Sequence, residues 1–265
     1  MSSSSSSSPS SVSAAVYGLS TEGYRIASSI AIKGGRVSLI DESVRMAITL
    51  KPDIARTYPD VSTLIEDEPL LGLQPVDLAI GDASYVYFTP RVRKVGQDSK
   101  ADIMSKFKDA TKALKRGSSV IYGLPTGIGG NDENIALIEH LTGMSVGKDI
   151  SYYYMPLGGD AGAGSLSEVM VGSSKGKQDG QISKMLYDPS GKSRMNFVDI
   201  SSAEIVYAIR TVSHYAGIAS ILEICRGAGS KVDSGLMQGV FRDLFIDDIT
   251  SGLYDLRAIW SSLQK

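Results

Sequence analysis

Residues that build metal centres and disulfide frameworks are scarce in this sequence. The 265 residues include one cysteine, Cys225, and two histidines, His140 and His214. A single cysteine excludes an intramolecular disulfide framework and a cysteine-based metal cluster, and it fits a reducing compartment. Two histidines are too few for a histidine-rich metal site. We therefore expect no metal site, and we expect the protein to be cytoplasmic.

Long apolar runs and strong charge are also missing. No stretch of 18 or more apolar residues is present, so the sequence predicts no transmembrane helix. The opening MSSSSSSSPSSVS lacks the basic start and apolar core of a secretory signal, and residues 1–12 are predicted to be a disordered tail. Because the formal net charge is only −2 at pH 7, we expect neither nucleic acid nor a membrane surface as a partner.

The order of strand and helix patterns predicts an α/β fold. Residues 14–19, AAVYGL, are an apolar run that ends in a glycine turn, and apolar residues at helical spacing follow over 20–34. RVSLIDE at 36–42 predicts a second buried strand that ends in an acid. This order is typical of the first βαβ unit of a Rossmann-type, doubly wound parallel sheet. Further strands are predicted at 76–80, 84–89, 118–124, 149–157 and 168–174, and further helices at 99–115 and 132–143.

The C-terminal third is predicted to be helical. Residues 201–229 predict one long helix, with Ser201 or Ser202 as its N-cap and Glu204 in its first turn. Its apolar residues cover most of the circumference, which is typical of a helix buried in a core or an oligomer interface. We divide the chain into a serine-rich tail at 1–12, a Rossmann-like dinucleotide-binding domain at 13–198 and a small helical dimerisation region at 199–265, in which 231–265 predict one or two closing helices.

The turn after the first predicted strand is the candidate cofactor site. In GLSTEG, Gly18 and Gly23 occupy the first and third glycine positions of a dinucleotide-binding turn, whereas Ser20 occupies the second, where the pyrophosphate approaches. Asp41 lies near the spacing expected for an acid that binds the ribose, and an acid there favours NAD over NADP. The cofactor-binding residues predicted in this unit are Gly18, Leu19, Ser20, Thr21, Glu22, Gly23 and Asp41.

The collinear order of these segments resembles the nucleotide-sugar dehydrogenases, the UDP-glucose and GDP-mannose dehydrogenase family, within the 6-phosphogluconate-dehydrogenase-like group. The resemblance covers roughly residues 14–230. It implies NAD as the cofactor and a homodimer built on the helix at 201–229. It also adds Thr89 and Pro90, a Thr-Pro pair that the family commonly carries, to the predicted cofactor-binding residues. Its other matches are GLSTEG, Asp41, Pro125 and Gly127 of LPTG, Pro156 of YYYMPLG, and the long helix.

At the positions that match the family's catalytic residues, this sequence has other residue types. By this resemblance, the glutamate and asparagine around the proline correspond to Leu157 and Met155, and the helix lysine and asparagine to Tyr207 and Thr211. The family's nucleophilic cysteine lies beyond the central helix, whereas Cys225 lies inside it. The resemblance therefore implies that UDP-sugars are not oxidised, and the catalytic residues are unknown.

Three functions remain open on the sequence alone. The first is an NAD-binding oxidoreductase-like protein with simpler chemistry, resembling a truncated nucleotide-sugar dehydrogenase. The second is a non-catalytic dimeric scaffold or regulator on the same fold. The third is a methyltransferase that holds S-adenosylmethionine in the same cleft. That cofactor has no pyrophosphate, so Ser20 would matter less, while Asp41 would bind its ribose.

Overall fold

A computed structural model describes part of the chain, and every structural statement below concerns that part. Leu19, Ser20, Asp41 and the segment 231–265 lie outside it, as does nearly all of the tail predicted at 1–12. The described residues are 12–18, 21–32, 34–40, 48–49, 71–90, 96–156, 168–175, 179–185 and 194–228.

The described strands form one nine-stranded sheet with the order β3-β4-β2-β1-β5-β6-β7-β8-β9. The six strands from β4 to β7 along this order are mutually parallel, whereas β3 and β8 run antiparallel to β4 and β7. This is the doubly wound arrangement that the sequence predicts. The strands are β1 Ser13–Tyr17, β2 Arg36–Ile40, β3 Ile48–Thr49, β4 Leu71–Leu73, β5 Tyr85–Phe88, β6 Ser119–Tyr122, β7 Ser151–Tyr154, β8 Glu168–Ser173 and β9 Arg194–Val198.

Helices cover both faces of this sheet, so the parallel strands are buried on two sides. On one face, α1 packs over an apolar cluster that includes Val16, Leu39 and Tyr87. On the other face, α2, α3 and α4 pack over a second cluster that includes Phe88 and Tyr122. The helices are α1 Thr21–Ile32, α2 Val76–Asp82, α3 Gly96–Lys112, α4 Gly130–Thr142, α5 Gly180–Met185 and α6 Ile200–Ala228.

One predicted strand is wrong, and four short elements, β3, β4, α5 and β9, are not predicted from the sequence. The run at 76–80 forms α2 rather than a strand, and it buries Ala79 and Ile80 while Leu78 stays 58% exposed. A five-residue apolar run fits either a strand or a short helix, and the helix here begins directly after Pro75. Strand β9 was not predicted, because the stretch before the long helix is polar.

The long helix is confirmed. It runs from Ile200 to Ala228, one residue earlier than predicted, and its N-cap is neither Ser201 nor Ser202. Asp199 accepts hydrogen bonds from the backbone N–H of Ser202 at 2.8 Å and from its hydroxyl at 2.6 Å. These bonds lower the pKa of Asp199. Ser202 therefore donates to the cap residue instead of being the cap.

Candidate functional site

The strand order reverses between β1 and β5. The carboxyl ends of these two strands lie side by side. The backbone N–H of Thr89, just after β5, donates to the carbonyl of Tyr17 at 2.8 Å. The N–H of Gly18, just after β1, donates to the carbonyl of Ile40 at 2.9 Å. Three strands therefore meet at one edge, and we call the space above it the β1/β5 crevice. Open α/β sheets bind their ligands at such a point.

Both described glycines of the turn are required by packing. Gly18 has a φ of +114°, and a Cβ there would lie 2.3 Å from the carbonyl oxygen of Thr89. A Cβ on Gly23 would lie 2.2 Å from the carbonyl oxygen of Gly18. No side chain fits at either position unless the backbone moves. The glycines therefore let α1, the β1 turn and the end of β5 approach one another closely.

Thr89 and Pro90 lie against this turn and are buried. The Thr89 hydroxyl donates to the carbonyl of Tyr17 at 3.3 Å. A Cβ on Gly123, just after β6, would lie 2.4 Å from the Thr89 methyl carbon. Thr89 thus packs the ends of β1, β5 and β6 together.

The structure brings four of the predicted cofactor residues together at the crevice, namely Gly18, Gly23, Thr89 and Pro90. Thr21 and Glu22 form the start of α1, and their side chains lie outside the described part of the structure. Three residues of the chain separate the end of β1 from this first turn. The positive end of the helix dipole lies at this N-terminus, where an anionic ligand is favourable.

An aromatic row supports this edge from below. Tyr17, Phe88, Tyr122 and Tyr154 are in register as the last residues of four adjacent strands. The ring centroids of Tyr17 and Phe88 are 5.1 Å apart, and those of Phe88 and Tyr122 are 5.4 Å apart. All four side chains are buried. Burial raises the pKa of Tyr122 to about 12, so this phenol is neutral at physiological pH. The row stabilises the strand ends through packing.

Two residues at positions that match the family's catalytic residues, Met155 and Tyr207, have packing or hydrogen-bond partners within the protein. Met155 is fully buried in an apolar cluster. The Tyr207 hydroxyl donates to the carbonyl of Met170 at 2.9 Å, and its ring meets that of Tyr154 edge-on at 5.5 Å. Leu157 and the side chain of Thr211 lie outside the described part of the structure.

A buried carboxylate on α6 caps α4, which the sequence analysis missed. Glu204 is 3% exposed and accepts hydrogen bonds from the N–H of Gly129 at 2.8 Å, from the N–H of Asn131 at 2.9 Å and from Asn131 Nδ2 at 2.6 Å. The sequence analysis predicted Glu204 in the first turn of its own helix. That prediction is wrong, because α6 begins at Ile200 and Glu204, its fifth residue, lies beyond the first turn. Its carboxylate interacts instead with the N-terminus of α4. A negative charge is favourable at the N-terminus of α4 because of the helix dipole.

Asn131 is oriented by a neighbouring phenol. The Tyr152 hydroxyl donates to Asn131 Oδ1 at 2.6 Å and accepts from Asn134 Nδ2 at 3.2 Å. Burial raises the pKa of Tyr152 well above its ordinary value, so it remains a donor. Since Oδ1 is bonded to this phenol, the Nδ2 group faces Glu204. The residues give no local signal for this network beyond two asparagines in an otherwise amphipathic helix.

A second polar cluster lies on the opposite face of the sheet. The hydroxyls of Tyr85 and Tyr153 each donate to Asp179 Oδ2 at 3.4 Å. Burial and the neighbouring Asp179 charge raise the pKa of both phenols to about 12. The cluster holds the segment before α5 against β5 and β7, away from the β1/β5 crevice.

The described residues form neither a membrane span nor a cluster of metal ligands. None of their helices is long and apolar enough to cross a membrane. No group of three or more histidine, cysteine, aspartate or glutamate side chains in this part of the chain is placed to hold a metal ion.

Comparisons with known proteins identify structural neighbours. No protein-family model and no curated protein matches the chain. The NDP-N-acetyl-D-galactosaminuronic acid dehydrogenase of Methanosarcina mazei Go1 is similar over 83% of this chain and 52% of its own, at 12% identity and a TM-score of 0.60. The 3-hydroxyisobutyrate dehydrogenase of Salmonella typhimurium is similar over 91% and 79%, at 14% identity and a TM-score of 0.59. A reductive aminase of Aspergillus terreus in complex with NADPH and ethyl levulinate is similar over 92% and 75%, at 10% identity and a TM-score of 0.53.

These similarities show a shared fold. The resemblance to nucleotide-sugar dehydrogenases and their wider group is confirmed at that level, as is the Rossmann-type α/β class. This chain spans about half the length of the nucleotide-sugar dehydrogenase with which it was compared.

Proposed function

We propose that this chain binds NAD in the β1/β5 crevice, as an oxidoreductase-like protein on the dehydrogenase fold. The observation that carries the proposal is the close packing of Gly18, Gly23 and Thr89 where the strand order reverses. Open α/β sheets hold nucleotides at that point. A neighbour of the same fold was solved with NADPH, which supports a nicotinamide dinucleotide as the ligand class.

In this proposal the pyrophosphate lies over the start of α1, and the adenosine ribose lies at Asp41. The positive end of the α1 helix dipole would attract the phosphates. In the sequence Asp41 directly follows β2, the parallel neighbour of β1, whose last residue Ile40 lies at the same edge of the sheet. Its carboxylate would accept hydrogen bonds from the ribose hydroxyls. The Ser20 hydroxyl would donate to a phosphate in place of the close approach that glycine permits.

The ribose assignment is tested by isothermal titration calorimetry of Asp41→Ala with NAD⁺. Removing a hydrogen bond to a charged group should weaken binding by about 1–3 kcal/mol. Asp109→Ala is the matched control, because Asp109 is exposed and pairs with Lys112 at the far end of α3. Unchanged affinity of Asp41→Ala would remove Asp41 from the site.

A thermal-shift panel of NAD, NADP, S-adenosylmethionine and UDP-glucose separates this proposal from its alternatives. A ligand that binds only the folded state raises its stability by mass action. We expect NAD to give the largest shift. A shift with S-adenosylmethionine alone would favour the methyltransferase, and no shift with any of the four would favour the non-catalytic scaffold.

We further propose that the chain does not oxidise UDP-sugars. Met155 and Tyr207, which stand where the resemblance places an asparagine and the lysine, are held in apolar packing and by a backbone hydrogen bond. Neither arrangement supplies a group that moves a proton to or from a sugar hydroxyl. Steady production of NADH from UDP-glucose would contradict the proposal.

We also propose that two copies pair through α6. Ile205, Ile209 and Val212 are 48%, 60% and 67% exposed, and their spacing of four and three residues places them on one face of the helix. Exposed Ala216 continues this face. A second copy carries the same stripe, so a twofold pair covers both stripes at once. We expect the pair to bury more than ~2,000 Å², the size of an obligate interface.

Light scattering tests the pairing. The wild type should have twice the mass of one 28.2 kDa chain. Ile209→Asp should reduce the mass to that of one chain, because a charge replaces an apolar contact at the centre of the stripe. Leu78→Asp is the matched control, since Leu78 is also exposed but lies on α2. A folded wild type with the mass of one chain would contradict the dimer.

A further inference from the structure

The loop between β6 and α4, residues 124–129, leaves the sheet beside the β1/β5 crevice. It begins after Gly123, whose backbone lies against the Thr89 methyl group. A doubly wound sheet consists of two mononucleotide-binding halves, and here β5, β6 and β7 form the second half. A dinucleotide that crosses the crevice therefore brings its second nucleotide next to this loop.

The loop is fixed at its middle and at its end. The N–H of Thr126 donates to the Tyr154 hydroxyl at 3.1 Å, and the Thr126 hydroxyl accepts from Asn131 Nδ2 at 2.9 Å. The N–H groups of Gly129 and Asn131 both donate to Glu204. Between these points the loop is exposed at Gly127 and Ile128, the latter by 75%.

Glu204 is the connection between this loop and α6. Its two oxygens receive three hydrogen bonds of 2.6–2.9 Å, all from the loop end and the first turn of α4. Gly129, the N-cap of α4, has a φ of 82° and offers no side chain of its own as a cap. The usual local cap is thus replaced by a carboxylate that lies more than 70 residues further along the chain.

We propose that Glu204 is a positioning residue for the second half of the nucleotide site. From its place on α6, Glu204 holds the loop 124–129 in one conformation. The nicotinamide nucleotide of NAD then binds a preformed surface and does not have to order the loop. This inference rests on the proposed function, because it assumes a dinucleotide in the β1/β5 crevice. It makes a separate claim about which part of the ligand depends on Glu204.

Glu204→Gln tests the claim with little change in shape. The amide oxygen can keep the two bonds from Asn131, but the amide NH₂ then faces the N–H of Gly129, and two donors cannot bond. We expect Glu204→Gln to weaken NAD⁺ binding about tenfold, the equivalent of one net hydrogen bond. ADP occupies only the first half of the site, and its affinity should stay unchanged. Glu139→Gln is the matched control, since Glu139 is exposed and accepts a backbone hydrogen bond from Val146.

Calorimetry with both ligands on both variants decides the matter. Equal losses for ADP and NAD⁺, or no loss for either, would overturn the inference and leave the proposed function standing. A wild type that binds neither ligand would overturn both. If Glu204→Gln does not fold, Asn131→Ala serves in its place. It removes one donor to Glu204 together with the side-chain bonds to Thr126 and Tyr152, and it leaves two backbone donors to Glu204. The same selective loss of NAD⁺ affinity is expected for that variant.

Discussion

Replacing Gly23 by alanine tests whether the packing of α1 on the β1 turn sets the geometry of the crevice. The new Cβ would lie 2.2 Å from the carbonyl oxygen of Gly18 and 3.1 Å from the Thr89 hydroxyl oxygen. The closer atom belongs to the backbone and cannot rotate away. α1 must therefore shift relative to the turn, and the packing between helix and sheet must change with it.

Two opposing effects set the change in the free energy of unfolding of Gly23→Ala. Overpacking of this kind costs about 1–3 kcal/mol. Alanine inside a helix recovers about 0.5–1 kcal/mol relative to glycine. We expect Gly23→Ala to lower the free energy of unfolding by about 1–2 kcal/mol. Gly18→Ala should lower it further, because a Cβ there lies 2.3 Å from the carbonyl oxygen of Thr89 and the φ of +114° is itself unfavourable for alanine.

Gly81→Ala is the matched control for this series. Gly81 lies within α2, and a Cβ there would have no heavy atom within 4 Å apart from its chain neighbours and the backbone of its own helix. That variant should be about 0.5–1 kcal/mol more stable than the wild type. Urea denaturation measures all three variants. A Gly23→Ala protein as stable as Gly81→Ala would refute the argument that α1 and the turn are in close contact.

Two further predictions concern the two faces of the sheet. Thr89→Val keeps the shape of the side chain but removes its hydrogen bond to the Tyr17 carbonyl. It should lower the free energy of unfolding, measured by urea denaturation, by about 0.5–1.5 kcal/mol. An unchanged urea midpoint would contradict this. Tyr85 and Tyr153 have pKa values raised to about 12, so the unfolded chain loses these protons near pH 10 while the folded chain keeps them. Stability should be complete below about pH 10 and fall towards about pH 12. Urea midpoints that stay constant over this interval would contradict the burial of these phenols.

The parts of the fold that the sequence predicts correctly are those with local patterns. The β1–α1–β2 unit follows from apolar runs and helical spacing around Gly18 and Gly23, and the long helix at Ile200–Ala228 follows from its length and composition. The segment of α2 was assigned wrongly because five apolar residues fit two structures equally well. Strand β9 has three partly buried apolar residues, Met195, Phe197 and Val198, and its place depends on pairing with β8.

The candidate site is predicted in part for the same reason. Gly18, Gly23, Thr89 and Pro90 meet at one edge, as expected for residues that follow adjacent parallel strands. Their contribution to packing could not be read from the sequence, because it depends on distances between atoms of separate strands. The bonds of Glu204 join residues more than 70 positions apart, and no local pattern indicates such a partner. The cofactor roles of all predicted site residues, Asp41 included, stay predictions.

The central claim is that a nicotinamide dinucleotide lies across the β1/β5 crevice, and amide hydrogen exchange with and without NAD⁺ tests it most directly. Bound ligand should slow exchange in the peptides that contain Gly18–Gly23 and Thr89–Pro90, because a bound dinucleotide opposes local opening of the strand ends and of the start of α1. Peptides from β8 and β9 should exchange at the same rate in both conditions and serve as the internal control. Unchanged exchange at the crevice under saturating NAD⁺ would contradict the account.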